Sequence, residues 1–86
     1  MNSKSFKYYT SQKQRDIVEY VAKMYSHILF GMGEVSGKRF ADEIRKNYLM
    51  TELKHQVCAD HAERYIVSIS YTPRGVKAKF DFSTLN

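Results

Sequence analysis

The chain has 86 residues and a formal net charge of +5, with 43% hydrophobic and 14% aromatic residues. This length predicts one domain, and the apolar content is sufficient for a packed core, which excludes a disordered chain. No apolar run approaches the roughly 20 residues that a membrane span needs, and no apolar segment follows the basic N-terminus as in a signal peptide. The single cysteine, Cys58, excludes an internal disulfide. These features predict a cytoplasmic protein without membrane contact.

The order of the patterned segments predicts an α+β fold, in which a three-helix core is followed by a C-terminal antiparallel β-hairpin. We expect a single domain over 1–86. Within it we expect an N-terminal arm over 1–10, a helical part over 11–62 and the hairpin over 64–83.

The first helix is predicted to begin at Ser11, because Gln14 follows at the spacing of a capping box. Its apolar residues recur at spacings of three and four, as on one face of a helix. The members of this face are Ile17, Val18, Val21, Met24, Tyr25, Ile28 and Leu29. Tyr20 widens the face on one side, Ala22 belongs to the opposite side, and Gly31 is a natural C-terminal stop.

The second and third helices follow a short connector with a predicted strand at Met32 to Val35. Ser36 is the expected cap of the second helix, whose buried face comprises Phe40, Ala41, Ile44 and Tyr48. Thr51 is the expected cap of the third helix, which covers 52–63 and directs Leu53, Val57 and Cys58 inward. One continuous helix over 38–62 is the alternative, because no Gly or Pro interrupts that segment.

Two segments of the sequence resemble chemical sites, one a phosphate-binding loop and the other a metal site. The segment GMGEVSGKR lacks the phosphate-loop spacing, and Arg39 stands where that loop needs Ser or Thr. His55, Cys58 and His61 recur at spacings of three, which puts the outer two about 9 Å apart along a helix axis, too far to share one ion. We therefore predict no metal, no cofactor, no small-molecule substrate and no catalytic residue, so that the protein is not an enzyme.

The C-terminal segment alternates apolar and polar residues in two runs, as half-buried antiparallel strands do. Its turn contains Pro73, which cannot adopt the positive φ of the usual two-residue hairpin turns. A three-residue loop would put the two apolar sets on opposite faces. We therefore expect a four-residue loop with Tyr71 opposite Val76, or a second bulge.

This register determines which hairpin residues meet the helices. The residues expected to face the helices are Tyr65, Val67, Ile69, Phe80 and Phe82. Lys77 and Lys79 are expected to face solvent, because a buried lysine there would carry a desolvation cost that nothing nearby offsets.

The order of helices and hairpin resembles the winged helix-turn-helix family. RFADEI is similar to the second helix of such domains, TELKHQV to the recognition helix and YTPRGVK to the wing tip. The third helix also carries Glu52, Asp60 and Glu63, which weaken a phosphate-binding face. The resemblance implies a small regulatory protein that binds duplex DNA. The residues expected to contact DNA are Lys38, Arg39, Thr51, Lys54, His55, Arg74, Lys77 and Lys79.

The alternative function is a small adaptor or inhibitor that binds a larger host protein or complex. The chain has seven Tyr and five Phe, more than its core requires, and aromatic side chains are common interface anchors. Short length and richness in Lys, Tyr and Ile are typical of accessory proteins of phages and mobile elements. The expected interface residues are Tyr8, Tyr9, Tyr20, Tyr25 and Leu29.

The wide apolar face of the first helix predicts a homodimer that uses Tyr20, Tyr25 or Leu29. The other interpretation is that the N-terminal FKYY segment covers the same face of the helix.

Overall fold

Three helices and a small antiparallel sheet enclose one hydrophobic core in the computed structural model, which describes residues 10–48 and 52–85. The elements are α1 (Ser11–Met24), a short 3-10 helix (Ser26–Leu29), β1 (Val35–Ser36), α2 (Gly37–Asn47), α3 (Leu53–Tyr65), β2 (Ile66–Thr72) and β3 (Gly75–Phe80). The predicted α+β fold, with a three-helix core followed by an antiparallel hairpin, is confirmed. Among the described helices, none combines the length and the apolar composition that a membrane span requires.

The first two helices begin at side chains that accept a hydrogen bond from the backbone of the first turn, whereas Glu52 at the start of α3 makes no such bond. α1 begins at Ser11 as predicted, but its cap is Thr10, whose Oγ1 accepts from Lys13 N at 3.1 Å. Ser36 caps α2 as predicted, with Arg39 N donating to its Oγ at 3.1 Å. The expected cap Thr51 lies outside the described residues. Because α2 ends at Asn47 and α3 begins at Leu53, the alternative of one continuous helix is wrong.

The buried face of α1 is rotated from the predicted one. The buried residues of the predicted face are Val18, Val21, Tyr25 and Leu29. Met24 is exposed, and the α-helix ends at this residue. Ala22, which was expected on the opposite side, is also buried. β3 packs along that side, where Ala22 borders a groove with Val76, Ala78 and Phe80.

The prediction for the inward side of α3 was wrong for Leu53 and Val57, whereas Cys58 is half-buried and packs against the core. Ala59, Ala62 and Tyr65 are buried, whereas Leu53 is 61% exposed and Val57 38% exposed. Small alanine side chains allow close approach of packed helices, so they determine which side of α3 faces the core. The helix also continues to Tyr65, which was expected to begin the first strand.

The hairpin register at the turn is as expected, with Tyr71 opposite Val76. The loop is shorter than the expected four residues, because Thr72 pairs with Gly75 and only Pro73 and Arg74 connect the strands. Thr72 Oγ1 donates to Gly75 O at 2.7 Å, and Gly75 has φ +124°. Farther along, Ile66 pairs with Phe80 but Ser68 pairs with Lys79, which leaves an extra residue, Val67, in a bulge.

Because of the bulge, the prediction that Val67 faces the helices is wrong. The extra residue reverses the alternation, so that Ile66 and Ile69 are buried while Val67 is 54% exposed. Lys77 and Lys79 face solvent, as predicted. Phe80 and Phe82 are half-buried and pack against the core, also as predicted.

A third strand forms the other edge of the sheet. β1 lies at Val35–Ser36, next to the predicted position, and pairs with β2 through Val35 opposite Ile69. The strand order is therefore β1-β2-β3, with β2 in the centre. Gly37 immediately follows β1, and a Cβ there would overlap the carbonyl oxygen of Ile66 and lie 3.1 Å from that of Ala62. This close approach holds α2 against the junction of α3 and β2.

Candidate nucleic-acid interface

The basic residues at the start of α2 are paired with carboxylates of the same helix. Lys38 Nζ lies 3.5 Å from Asp42 Oδ2, and Arg39 Nε donates to Glu43 Oε2 at 3.1 Å. These are exposed pairs four residues apart, and each contributes little to stability. They nevertheless reduce the net positive charge that this helix turn offers to a phosphate.

The first turn of α3 is also poor in free positive charge. Lys54 Nζ lies 3.7 Å from Glu52 Oε2. His55 turns toward the core, where its Nδ1 is 2.6 Å from the hydroxyl of Tyr25. The exposed side of this helix carries Leu53 and Val57 instead. The segment expected to enter a DNA groove therefore presents two apolar side chains beside the Glu52–Lys54 ion pair.

Beside the later turns of α3, Arg45 of α2 forms ion pairs with three carboxylates. Its guanidinium donates to Asp60 at 2.7 Å and lies 3.0 Å from Glu63 and 3.2 Å from Asp42. The hydrogen bond to Asp60 is the main cause that raises the pKa of Arg45 above its ordinary value. An open cavity of about 700 Å³ beside these groups is lined by Arg45, Asp60, His61, Glu63 and Arg64. Of the two arginines that line it, Arg45 is already occupied by acidic partners of the same chain.

The hairpin differs from the helices, because none of the ion pairs within 10–48 and 52–85 involves Arg74, Lys77 or Lys79. We call these three residues the hairpin cations. Lys77 and Lys79 project from the exposed face of β3, and Arg74 lies in the turn. Lys13, Lys23 and Lys46 are also exposed and outside these ion pairs, but they lie singly on helices, whereas the hairpin cations lie together on one hairpin.

Hydroxyl groups accompany the hairpin cations across the exposed face of the sheet. Ser70 pairs with Lys77, and Ser68 pairs with Lys79. Ser36 of β1 extends the second row, since it pairs with Ser68. One acidic residue reaches this face, because Ser68 Oγ donates to Glu34 Oε2 at 2.8 Å. The row nearer the turn, with Ser70 and Lys77, is therefore more positive than the row with Lys79.

The basic residues of α3 and of the hairpin lie at opposite ends of α3. Lys54 lies in the first turn of α3, whereas Lys79 pairs with Ser68, just beyond the end of that helix. A 13-residue helix spans about 20 Å. The two parts of the predicted DNA-contacting set are therefore separated by the length of α3.

An exposed aromatic pair lies at the turn end of the sheet. The rings of Phe30 and Tyr71 have centroids 6.0 Å apart at an interplanar angle of 48°. Phe30 is 78% exposed and Tyr71 39% exposed. The sequence interpretation overlooked Phe30, since a single aromatic residue before a glycine carries no periodic signal.

Tyr48 and Cys58 pack against the core rather than forming a reactive site. Tyr48 stacks on His55 with centroids 4.5 Å apart, and its hydroxyl lies 3.0 Å from His27 Nε2. Burial, which is the largest cause, raises the pKa of the Cys58 thiol, while a hydrogen bond with Tyr25 opposes this shift. Cys58 is thus held as a neutral thiol. Within the described ranges, no group of three His, Cys, Asp or Glu residues is arranged to hold a metal ion.

The predicted protein-interface residues divide into three kinds. Tyr25 and Leu29 are fully buried in the core, so the expectation that they form a contact surface is not met. Tyr20 is 63% exposed and accessible to a partner. Tyr8 and Tyr9 lie outside the described residues.

Comparison with known proteins found no matching family model, no matching curated protein and no matching solved structure.

Proposed function

We propose that this chain binds nucleic acid through the phosphate backbone, using the exposed face of the β2–β3 hairpin. The single observation that carries the proposal is the contrast between two groups of basic residues. Lys38, Arg39 and Lys54 have carboxylate partners within 4 Å, whereas the hairpin cations have none among the described residues. A net charge of +5 favours approach to a polyanion.

The chemistry of the face supports backbone contacts rather than base reading. Lysine and arginine neutralise phosphates, and serine hydroxyls donate to phosphate oxygens. Side chains of these kinds alternate across the two strands at Ser68, Ser70, Lys77 and Lys79. Duplex DNA in the cytoplasm is the expected first ligand, and the proposal differs from a winged-helix interface in giving α3 no leading part.

The experiment is a salt titration of binding to a mixed-sequence duplex, with Lys77→Ala/Lys79→Ala as the test variant. Each lost phosphate contact reduces the slope of log K against log salt by about 0.9, so the double variant should lose about 2 units of slope. The matched control is Lys13→Ala/Lys46→Ala, which removes the same charge from exposed positions on α1 and α2.

The control pair separates a local contact from a general charge effect. The proposal expects a larger loss of affinity and slope for the hairpin variant than for the control. Equal losses would show that only net charge matters. If the wild-type protein does not bind at low salt at about 50 µM, where non-specific binding is already expected, the proposal is wrong.

A second candidate function is protein binding, as an adaptor, an inhibitor or a homodimer, and one observation favours it. Leu53 and Val57 are exposed one turn apart on α3, and Tyr20 and Met24 are exposed one turn apart on α1. The end of α1 meets the start of α3 at the Tyr25–His55 hydrogen bond. Exposed apolar residues that gather at one end of a domain are typical of contact surfaces.

Sedimentation velocity at high micromolar concentration tests the homodimer. Leu53→Glu should convert a dimer that uses this surface into a monomer, whereas Val67→Glu, an exposed position on the sheet, should not. A wild-type monomer at that concentration would contradict the homodimer and leave only a different protein as partner.

A further inference from the structure

β3 forms an open edge of the sheet. The strand order is β1-β2-β3, and the backbone of β3 pairs with β2 on one side. Within 10–48 and 52–85, no backbone hydrogen bond joins Gly75–Phe80 to another element on its other side. An edge strand presents alternate N–H and C=O groups to solvent, and an extended segment can add there as a further strand.

An apolar groove of about 170 Å³ runs between this edge and α1. It is lined by Val76, Ala78 and Phe80 of β3 and by Glu19, Ala22 and Lys23 of α1. The three residues of β3 are only half-buried, whereas Ile66 and Ile69 on the same inner face of β2 are buried. α1 therefore covers the inner face of β3 incompletely and leaves room for small aliphatic side chains.

The opposite face of the same strand is basic. Lys77 and Lys79 alternate with the groove residues, are exposed, and have no carboxylate partner among the described residues. Glu34 hydrogen-bonds to the central strand from the β1 side of the sheet. Asp81 follows β3, and its carboxylate already accepts from Ser83 N at 2.9 Å. A strand added to β3 therefore meets apolar groups on one face and positive charge on the other.

The occupant that fits this edge is defined by its chemistry. Successive residues of an added strand point to opposite faces, so alternating apolar and acidic residues would fill the groove and pair with Lys77 and Lys79 together. A second copy of β3 would bring lysines beside lysines, which is unfavourable. Residues 1–9 of the chain do not supply this chemistry either, because their charged side chains are Lys4 and Lys7.

We propose that the β3 edge binds an extended segment of a partner protein in which apolar and acidic residues alternate. The apolar side chains enter the groove, the carboxylates contact Lys77 and Lys79, and main-chain hydrogen bonds join the segment to β3. This inference goes beyond the proposed binding of nucleic acid and does not rest on it. Because the two ligands use the same lysines, they exclude each other.

The experiment measures the binding of three labelled peptides of equal length by fluorescence anisotropy. One alternates valine with glutamate, the second valine with lysine, and the third serine with glutamate. The valine–glutamate peptide should bind more tightly than both others. Equal binding of the serine–glutamate peptide overturns the proposal, because charge attraction alone would then suffice. Equal binding of the valine–lysine peptide overturns it as well, because the lysines would then have no part in selection.

Reversing the charge of the strand should reverse the preference. Lys77→Glu/Lys79→Glu should weaken binding of the valine–glutamate peptide on the order of 10-fold and strengthen that of the valine–lysine peptide. Lys13→Glu/Lys46→Glu makes the same change of charge at exposed positions on α1 and α2, and should leave the preference as it is. A hairpin variant that loses one peptide without gaining the other overturns the proposal.

Amide hydrogen exchange locates the added strand. The valine–glutamate peptide should slow exchange in β3 and leave β1, at the other edge, unchanged. Unchanged exchange in β3 on binding overturns the proposal. Slow exchange in β3 that depends on protein concentration without peptide also overturns it, because a second copy would then be the occupant.

Two further outcomes concern the remaining occupants. Phe6→Ser/Tyr8→Ser in the full chain should leave the affinity for the valine–glutamate peptide unchanged. Tighter binding by this variant would show that residues 1–9 occupy the groove, which overturns the proposal. A wild-type protein that binds a mixed-sequence duplex and none of the peptides overturns this inference and leaves the proposed function standing.

Discussion

The hydroxyl of Tyr25 and Nδ1 of His55 are hydrogen-bonded at 2.6 Å, which joins the end of α1 to the first turn of α3. Burial, with a smaller contribution from Cys58, raises the pKa of Tyr25 far above its ordinary value, so the phenol stays protonated. Tyr48 covers the other side of the histidine by stacking on it. Two residues with predicted roles at surfaces thus form an internal polar contact.

Tyr25→Phe should destabilise the fold by about 1–2 kcal/mol, because His55 Nδ1 loses its hydrogen-bond partner in a partly buried place. The measurement is urea denaturation followed by circular dichroism. Tyr20→Phe removes the same hydroxyl from a side chain that is 63% exposed and should cost nothing measurable. Equal midpoints for the two variants would contradict the structural importance of this hydrogen bond.

Gly37→Ala should destabilise the fold by about 2–4 kcal/mol, as overpacking against rigid backbone does. Within a helix, alanine is favoured over glycine by about 1 kcal/mol, so local propensity alone predicts the opposite sign. The added Cβ would overlap the carbonyl oxygen of Ile66, and backbone cannot move aside as a flexible side chain can. Thermal unfolding of Gly37→Ala and the wild type decides between the expectation from packing and the expectation from helix propensity. Lys38→Ala, the neighbouring exposed position, is the control, and a stabilised Gly37→Ala would show that α2 does not approach Ile66 so closely.

His61 should make stability depend on pH. Burial lowers its pKa below the ordinary value of 6.5, with Arg64 acting in the same direction and Asp60 opposing it. The unfolded chain therefore takes up the proton at a higher pH than the folded chain does. Stability is complete above about pH 6.5 and falls as the pH is lowered through that value toward the folded pKa.

The pH effect can be isolated by subtraction. His61→Gln should remove this part of the loss of stability, so that the difference in unfolding free energy between wild type and variant changes between about pH 7 and pH 5. Urea midpoints at several pH values measure it. Effects common to the two proteins cancel in the difference. A constant difference across that range would show that His61 titrates equally in the folded and unfolded chains.

Arg45→Met should destabilise the fold by about 1 kcal/mol at low salt, since it leaves Asp42, Asp60 and Glu63 without their shared cation. The side chain of Arg45 is 27% exposed, so water screens part of the interaction. The loss should shrink as salt is added, because the pairs are partly open to solvent. Lys46→Met, at the next exposed position, should show neither effect. A loss for Arg45→Met that does not vary with salt would point to packing of its aliphatic stem instead.

Short-range patterns in the sequence determined much of the architecture. The cap at Ser36, the solvent-facing Lys77 and Lys79, and the register of Tyr71 with Val76 were all predicted. These features depend on residues within a few positions of one another, or across one tight turn. Capping and period-two alternation express that local chemistry directly, so the residues themselves carry the information.

Only the tertiary structure decided which side of each element is buried and which charges remain open. Leu53 and Val57 are as apolar as core residues, yet the alanines of α3 face the core because that side allows the closest approach of its neighbours. The bulge at Val67 shifts the pairing of β2 without any local signal. Two of the three partners of Arg45, Asp60 and Glu63, come from a different helix, and the pair of Phe30 with Tyr71 spans two elements far apart in the chain. Burial and charge pairing depend on which surfaces meet across the fold, and no window of neighbouring residues contains that information.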